Sequence, residues 1–175
     1  MVDQVKRVLE RSGLNPHCLK LEITESVVME NAEAAAAMFK QLRALGVQLS
    51  IDDFGTGYSS LSYLHRFPVN YLKIDRSFVS RMTEANDNAE IVRTIATLAR
   101  NLGLEVIAEG VETQEQYQQL KALGCEYGQG YFFSYPVDSA VVPSLLANDL
   151  GSAAGAIMAA NPPLEEPIVA TAYSM

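Results

Sequence analysis

The chain has 175 residues, 49% hydrophobic and 19% charged, which gives one domain enough apolar surface for a core and is unlike a disordered chain. A formal charge of −8 argues against a phosphate-backbone polymer as partner, because that affinity comes mainly from Lys and Arg. No run approaches the ~18 apolar residues of a membrane span, and residues 1–15 are amphipathic and charged, unlike a secretion signal, so a cytoplasmic location is expected.

Val2, Val5, Val8 and Leu9 fall at helical spacing, and Gly13 is placed to end that helix. In LKLEIT, Leu19, Leu21 and Ile23 alternate with Lys20, Glu22 and Thr24, which predicts a strand. Asn31 is positioned to cap a second helix with the stripe Ala35, Met38, Leu42 and Leu45, stopped by Gly46. VQLSID then predicts a second strand, residues 59–65 a short helical piece before Pro68, and YLKID a third strand with Tyr71, Lys73 and Asp75 on one face. Asp87 and Glu90 have capping-box spacing ahead of Ile91, Ile95, Leu98 and Leu102, and Gly103 closes that helix. LEVIAEG predicts a fourth strand. Thr113 and Gln116 repeat the capping box before Tyr117, Leu120 and Leu123, and EYGQGYFF after Gly124 predicts a fifth strand. From Gly151 onward the composition turns to Ala, Gly and Pro, so a barrel domain over 1–150 and a disordered tail over 151–175 are expected.

Strand and helix alternate at intervals of roughly 25–30 residues, the rhythm of parallel βα units. An open doubly wound sheet is usually apolar on both faces, whereas here one parity class of each strand is much more polar, as the mouth of a barrel allows. The fold class predicted is therefore an α/β, TIM-like (β/α)8 barrel with five of its eight βα units in this chain.

LSIDDFGTGYSSL is a strand end carrying two adjacent carboxylates and then a glycine-rich turn. A turn with an Asp cap is the plain alternative. The same strand-end class also holds Glu22, Lys73 and Glu109. Carboxylates crowded into one cavity take up protons or bind cations, and oxygen donors favour Mg²⁺ or Mn²⁺. Two such ions sharing Asp52 could clamp a phosphodiester and ready a water to attack it, with Lys73 beside that water. The alternative for Lys73 is an ion pair with Asp75. His17 and His65 are too few and too scattered for an imidazole site, so the donors must be oxygens. Cys18 and Cys125 lack any C-x-x-C pattern and read as buried reduced thiols.

LEITES at 21–26, IDDFGTGYSSLSYL at 51–64, LKIDRSFV at 72–79, AEGVET at 108–113 and GCEYGQGYFFSYP at 124–136 resemble, in order and spacing, the EAL-domain cyclic di-GMP phosphodiesterases. The resemblance runs from about residue 2 to 147 and implies hydrolysis of cyclic di-GMP to linear pGpG with two Mg²⁺ or Mn²⁺ ions, in bacterial second-messenger signalling. By motif, Glu22, Asp52, Asp53 and Glu109 match metal ligands, Glu109 serving catalysis as well. Lys73 matches the residue on the hydrolytic water and Gln129 a glutamine near that water and the substrate. Glu25 matches a glutamate anchoring the loop 54–60, a loop tied in the family to metal binding and dimerisation. Asp75 and Glu112 look like supports behind the ligands. The resemblance also suggests an upstream sensory or diguanylate cyclase domain and a homodimer.

The Glu-Ala-Leu motif and the Asn ligand of the following strand do not occur in the sequence, and Tyr135 stands where the family often has a basic residue. The expectation is therefore that the polypeptide is the C-terminal part of such a domain and is inactive alone. The alternatives are a non-catalytic EAL-like module that binds cyclic di-GMP or a protein partner, and an unrelated Mg²⁺ barrel with Lys73 as base, which would leave AEGVET and QGYFF unexplained.

Overall fold

A computed structural model describes residues 1–57, 61–82, 86–147 and 173–174. The chain divides into two compact units, Met1–Asp75 with Thr97–Val106 and Arg76–Ala96 with Ile107–Met175, so that one helix and one strand belong partly to each.

The first unit opens with helix α1 (Val2–Ser12), which buries Leu9 and ends where Gly13 adopts the left-handed conformation at φ 68 and returns its N–H to the Leu9 carbonyl. Strand β1 (Lys20–Thr24) runs into α2 (Glu25–Glu30), and α3 (Ala32–Ala44) follows with Asn31 Oδ1 accepting from Ala34 N at 3.1 Å as its cap. Strands β2 (Gln48–Phe54) and β3 (Tyr71–Ile74) flank the short α4 (Leu61–Leu64). β1, β2 and β3 are parallel, with Leu21 opposite Leu49, Ile23 opposite Ile51 and Ile51 opposite Leu72. The apolar parity class, Leu49, Ile51, Leu72 and Ile74, is fully buried, as are Phe39 and Leu42 of α3. Phe39 packs edge-on against Phe67 at 5.5 Å between centroids. Asn70 Oδ1 accepts from both Arg43 Nη1 and Leu49 N, and its carbonyl takes the Glu105 N–H, bringing in the start of the next strand.

That strand, β4 (Glu105–Glu109), follows α5 (Arg76–Val79) and α6 (Asn86–Asn101) and passes into the second unit. There it pairs in parallel with β5 (Tyr127–Gln129) across α7 (Gln114–Leu123). The predicted capping box of α7 is present: Thr113 Oγ1 accepts from Gln116 N, Gln116 Oε1 accepts from Thr113 N, and Gly124 ends the helix at φ 82. After α8 (Val142–Ala147), β6 (Tyr173–Ser174) pairs antiparallel with β5. The parallel βα succession is that of the TIM-like barrel class. Among the described residues no helix is long and apolar enough to cross a membrane.

Several local expectations shift. The buried stripe of α3 is Ala35, Phe39 and Leu42 rather than one through Met38, and in α6 it is Val92, Ile95, Ala96 and Ala99, leaving Ile91 exposed. Both are one-residue rotations of a helix whose neighbouring apolar positions periodicity alone could not rank. α6 is already under way at Asn86, so Asp87 lies inside it rather than at its cap. β5 stops at Gln129, because the chain turns at Gly130. Cys18 is exposed, Cys125 buried, and neither is in a disulfide. Of the tail expected over 151–175, all but Tyr173–Ser174 lies outside the described residues.

Candidate functional site

Parallel pairing turns strand parity into three-dimensional proximity. Thr24 lies opposite Asp52 and Glu22 opposite Ser50, so one face of β1 and β2 carries Glu22 beside Asp52. Lys73 enters from β3 between them. Its Nζ lies 2.7 Å from Glu22 Oε2 and 3.0 Å from Asp52 Oδ1. The Lys73 side chain is 4% exposed, against 39% for Glu22 and 21% for Asp52, so a buried ammonium sits beneath carboxylates that face water. Such short charge-assisted contacts fix all three side chains in place.

Asp53 reaches the same neighbourhood by a different device. Adjacent strand residues normally point to opposite faces, but the β2–β3 register shifts between Ile51 and Phe54, and Asp53 takes a positive φ of 54 there. This is the one non-glycine residue with positive φ among the described residues, a conformation that costs energy unless its surroundings hold it. The Asp53 N–H donates to Asp52 Oδ1 at 3.1 Å, and carboxylate oxygens of the two residues lie within 4.8 Å of each other. Burial raises the Asp53 carboxyl above the usual carboxylate value, and the negative charges of Asp52 and Asp75, with a hydrogen bond shared with Asp75, raise it further against the pull of Lys73. The Lys73 ammonium is one positive charge against this group of carboxylates.

The turn after Asp53 is tied to Glu25, which is 2% exposed at the start of α2. Its Oε2 accepts from Gly55 N at 2.9 Å, and a Cβ on Gly57 would lie 3.2 Å from its Oε1. Gly55, at φ 96, supplies the left-handed conformation the turn needs. Thr56 Oγ1 closes the turn by donating to the Asp53 carbonyl.

In the second unit Glu109 ends β4 directly opposite Gln129 at the end of β5, both half-buried. The Glu112 side chain is exposed, and no hydrogen bond or ion pair holds its carboxylate among the described residues; its backbone N–H donates to Gln116 Oε1.

Two features went unread in the sequence. Ser50 is fully buried on the same face as Lys73, and its Oγ has no hydrogen-bond partner among the described residues. Toward the other end of the strands Lys20 Nζ stands 3.6 Å over the Tyr71 ring. Burial lowers the Lys20 ammonium against the opposing pull of Glu22 and Glu105, while burial and then Glu105 raise the Tyr71 phenol. Alternation in KLEIT and YLKI placed both on this polar face, but only the register brings them together.

The donor set suits a hard divalent cation: every candidate ligand is a carboxylate, two of them are adjacent, and Asp53 already holds its proton more tightly than an isolated side chain. A parallel βα fold with acidic residues and a buried lysine at its strand ends is that of a TIM-like barrel. The EAL domain profile matches residues 1–136, and the chain belongs to the EAL domain family. It is 48% identical over 137 residues to the bifunctional diguanylate cyclase/cyclic di-GMP phosphodiesterase MucR of Pseudomonas aeruginosa, covering 78% of this chain and 20% of that protein. It is 46% identical over 146 residues to the cyclic di-GMP phosphodiesterase NbdA of the same organism, covering 83% and 19%. The phosphodiesterase PaMucR in complex with c-di-GMP superposes with a TM-score of 0.79 at 47% identity, covering 81% of this chain and 57% of that one. Klebsiella pneumoniae BlrP1 with manganese and cy-diGMP gives 0.71 at 36% identity, covering 77% and 34%. The chain thus spans about a fifth of the length of these curated relatives.

Proposed function

We propose that this chain is the larger part of a phosphodiesterase domain that hydrolyses cyclic di-GMP to linear pGpG in bacterial second-messenger signalling, using two Mg²⁺ or Mn²⁺ ions. The observation that carries the reading is the buried Lys73 ammonium clamped between Glu22 and Asp52, beside an Asp53 carboxyl raised above its usual value by burial and by its acidic neighbours. Glu22, Asp52, Asp53 and Glu109 would hold the ions, which when bound supply Lewis-acid polarisation of the phosphodiester and of the attacking water. One ammonium against several carboxylates leaves the group short of positive charge, and divalent ions make up the difference.

The chain's own residues orient the reaction. Lys73, immobilised by two ion pairs, places a positive charge where the water attacks and where negative charge develops. Gln129, beside Glu109, offers an amide to the water or to a phosphate oxygen. Glu25 keeps the turn after Asp53 in the conformation that presents Asp52 and Asp53, and Asp75 shares a hydrogen bond with Asp53. Cytoplasmic placement, a homodimer and an upstream cyclase or sensory domain complete the proposal, the last supported by the bifunctional name of MucR.

The test is incubation of cyclic di-GMP and Mn²⁺ with residues 1–175, and with the same residues joined behind the Glu-Ala-Leu-bearing segment of a relative, followed by chromatography for pGpG. Residues 1–175 contain no Glu-Ala-Leu motif, so turnover is expected from the joined protein and not from these residues alone. Tight binding without turnover by the joined protein would overturn the enzyme reading in favour of a receptor.

A further inference from the structure

Beyond Gln129 the second unit presents two tyrosines that the proposed hydrolysis does not use. The turn that carries them is rigid for an identifiable reason. Val111 N donates to the Gln129 carbonyl at 3.0 Å and Phe132 N donates to the Val111 carbonyl at 2.9 Å, so the backbone on either side of Gly130 is stitched to one residue. A Cβ at Gly130 would lie 2.2 Å from Val111 O and 2.4 Å from Val111 N, so only glycine permits the approach. Phe133 N and Ser134 N both return to the Gly130 carbonyl.

This turn sorts its aromatic rings onto two sides. Phe132 stacks on Tyr117 of α7 at 5.4 Å and 23°, and Phe133 meets Tyr117 edge-on at 6.0 Å, so these two rings are engaged by the helix. Tyr131 and Tyr135 instead lie against each other, centroids 4.6 Å apart and planes 33° from parallel. Tyr131 is 40% exposed, and neither phenol has a hydrogen-bond partner among the described residues. Residues 125–138 contain no Lys or Arg, so nothing in this segment attracts a phosphate by charge. What it offers is a flat, neutral, fixed aromatic surface two residues past the half-buried Gln129.

We propose that Tyr131, backed by Tyr135, is a stacking shelf for a purine base of the ligand, and so determines specificity toward the base rather than toward the phosphodiester. The proposal rests on the cyclic dinucleotide reading of the site. A nucleotide whose phosphate lies at Glu109 and Gln129 carries its base one sugar away, and Tyr131 follows Gln129 by two residues at the end of β5. Because the turn is already ordered, stacking costs little conformational entropy.

The probe is a cyclic di-GMP analogue with one guanine replaced by 2-aminopurine, titrated with Mn²⁺ into residues 1–175 and into the joined protein described above. The chain has no tryptophan, so the probe's emission reports its own stacking. Wild type and Tyr131→Phe should bind alike and quench the probe. Tyr131→Leu should abolish the quench and weaken binding on the order of tenfold to a hundredfold, the range of a lost base–aromatic stack. Tyr135→Leu, which removes only the backing ring, should give a smaller change of the same sign, and thermal melts establish that each variant is folded. Binding by wild type with quench and affinity unchanged in both leucine variants overturns the shelf and leaves the phosphodiesterase reading standing. Failure of the joined wild-type protein to bind at all overturns both.

Discussion

Replacing Lys73 with methionine keeps the apolar stem and removes the charge that holds Glu22 and Asp52 at 2.7 and 3.0 Å. Breaking a fully buried ion pair costs about 3–5 kcal/mol, because the abandoned partner stays buried and uncompensated. Here the ammonium is buried, but Glu22 and Asp52 are 39% and 21% exposed, so water screens what is left behind and the expected loss is about 1–3 kcal/mol. For a chain of this size that lowers Tm by about 2–12 °C near neutral pH. Added Mn²⁺ should recover more stability in the variant than in wild type, since the cation then supplies the charge the lysine no longer does. Thermal melts followed by circular dichroism at neutral pH, with and without Mn²⁺, measure both. A variant that melts within about 1 °C of wild type at neutral pH refutes the assignment of Lys73 as the counter-charge of the group.

Asp53→Asn tests the crowding directly: the raised carboxyl binds its proton more tightly in the fold than in the unfolded chain, so stability should fall as pH rises from about the ordinary value of 3.8 through the raised one and stay level above it. The asparagine variant, which also suits a positive φ, should lack that slope and melt higher than wild type at neutral pH without metal; an identical pH profile in the two proteins rules the reasoning out. Ser50→Ala removes a buried hydroxyl with no partner among the described residues and should leave stability unchanged or raise it by up to about 1 kcal/mol in urea titrations, whereas a loss of about 2 kcal/mol would mean that the hydroxyl is bonded, for instance to an ordered water. Gly130→Ala forces its Cβ onto the Val111 backbone and should cost about 2–4 kcal/mol by the same titration; a cost below about 0.5 kcal/mol would show that the turn is not pinned there. Glu25→Gln keeps an acceptor for Gly55 N but loses the charge, and should speed hydrogen exchange at that amide less than Glu25→Ala does; equal rates in all three proteins would sink the proposed anchoring of the turn.

Much of the fold was legible because local rules and the fold agree. Gly13 and Gly124 end their helices in the left-handed conformation, and Thr113 with Gln116 forms the reciprocal cap that the spacing predicted. The strands fell where alternation placed them, and the carboxylates and lysine were chosen by parity alone. Helix rotation was harder, because α3 and α6 are apolar on more than one narrow stripe, and only packing selects Phe39 over Met38 or Val92 over Ile91. The ending of β5 was missed because its aromatic run reads as strand, while the close approach of Gly130 to Val111 is a long-range constraint with no local signature.

The sequence by itself determined which residue types stand at the strand ends and that their donors are oxygens, since both follow from period-two alternation and from side-chain chemistry. It left Lys73 with Asp75 as a candidate partner and Asp53 as a residue beyond the strand. Only the tertiary structure decided that Lys73 lies between Glu22 and Asp52, that a register shift and a positive φ keep Asp53 close to Asp52, and that Tyr131 and Tyr135 share a side of one turn. The physical reason is that these contacts depend on the relative register of strands and on the course of a turn, quantities fixed by packing between segments far apart in the chain.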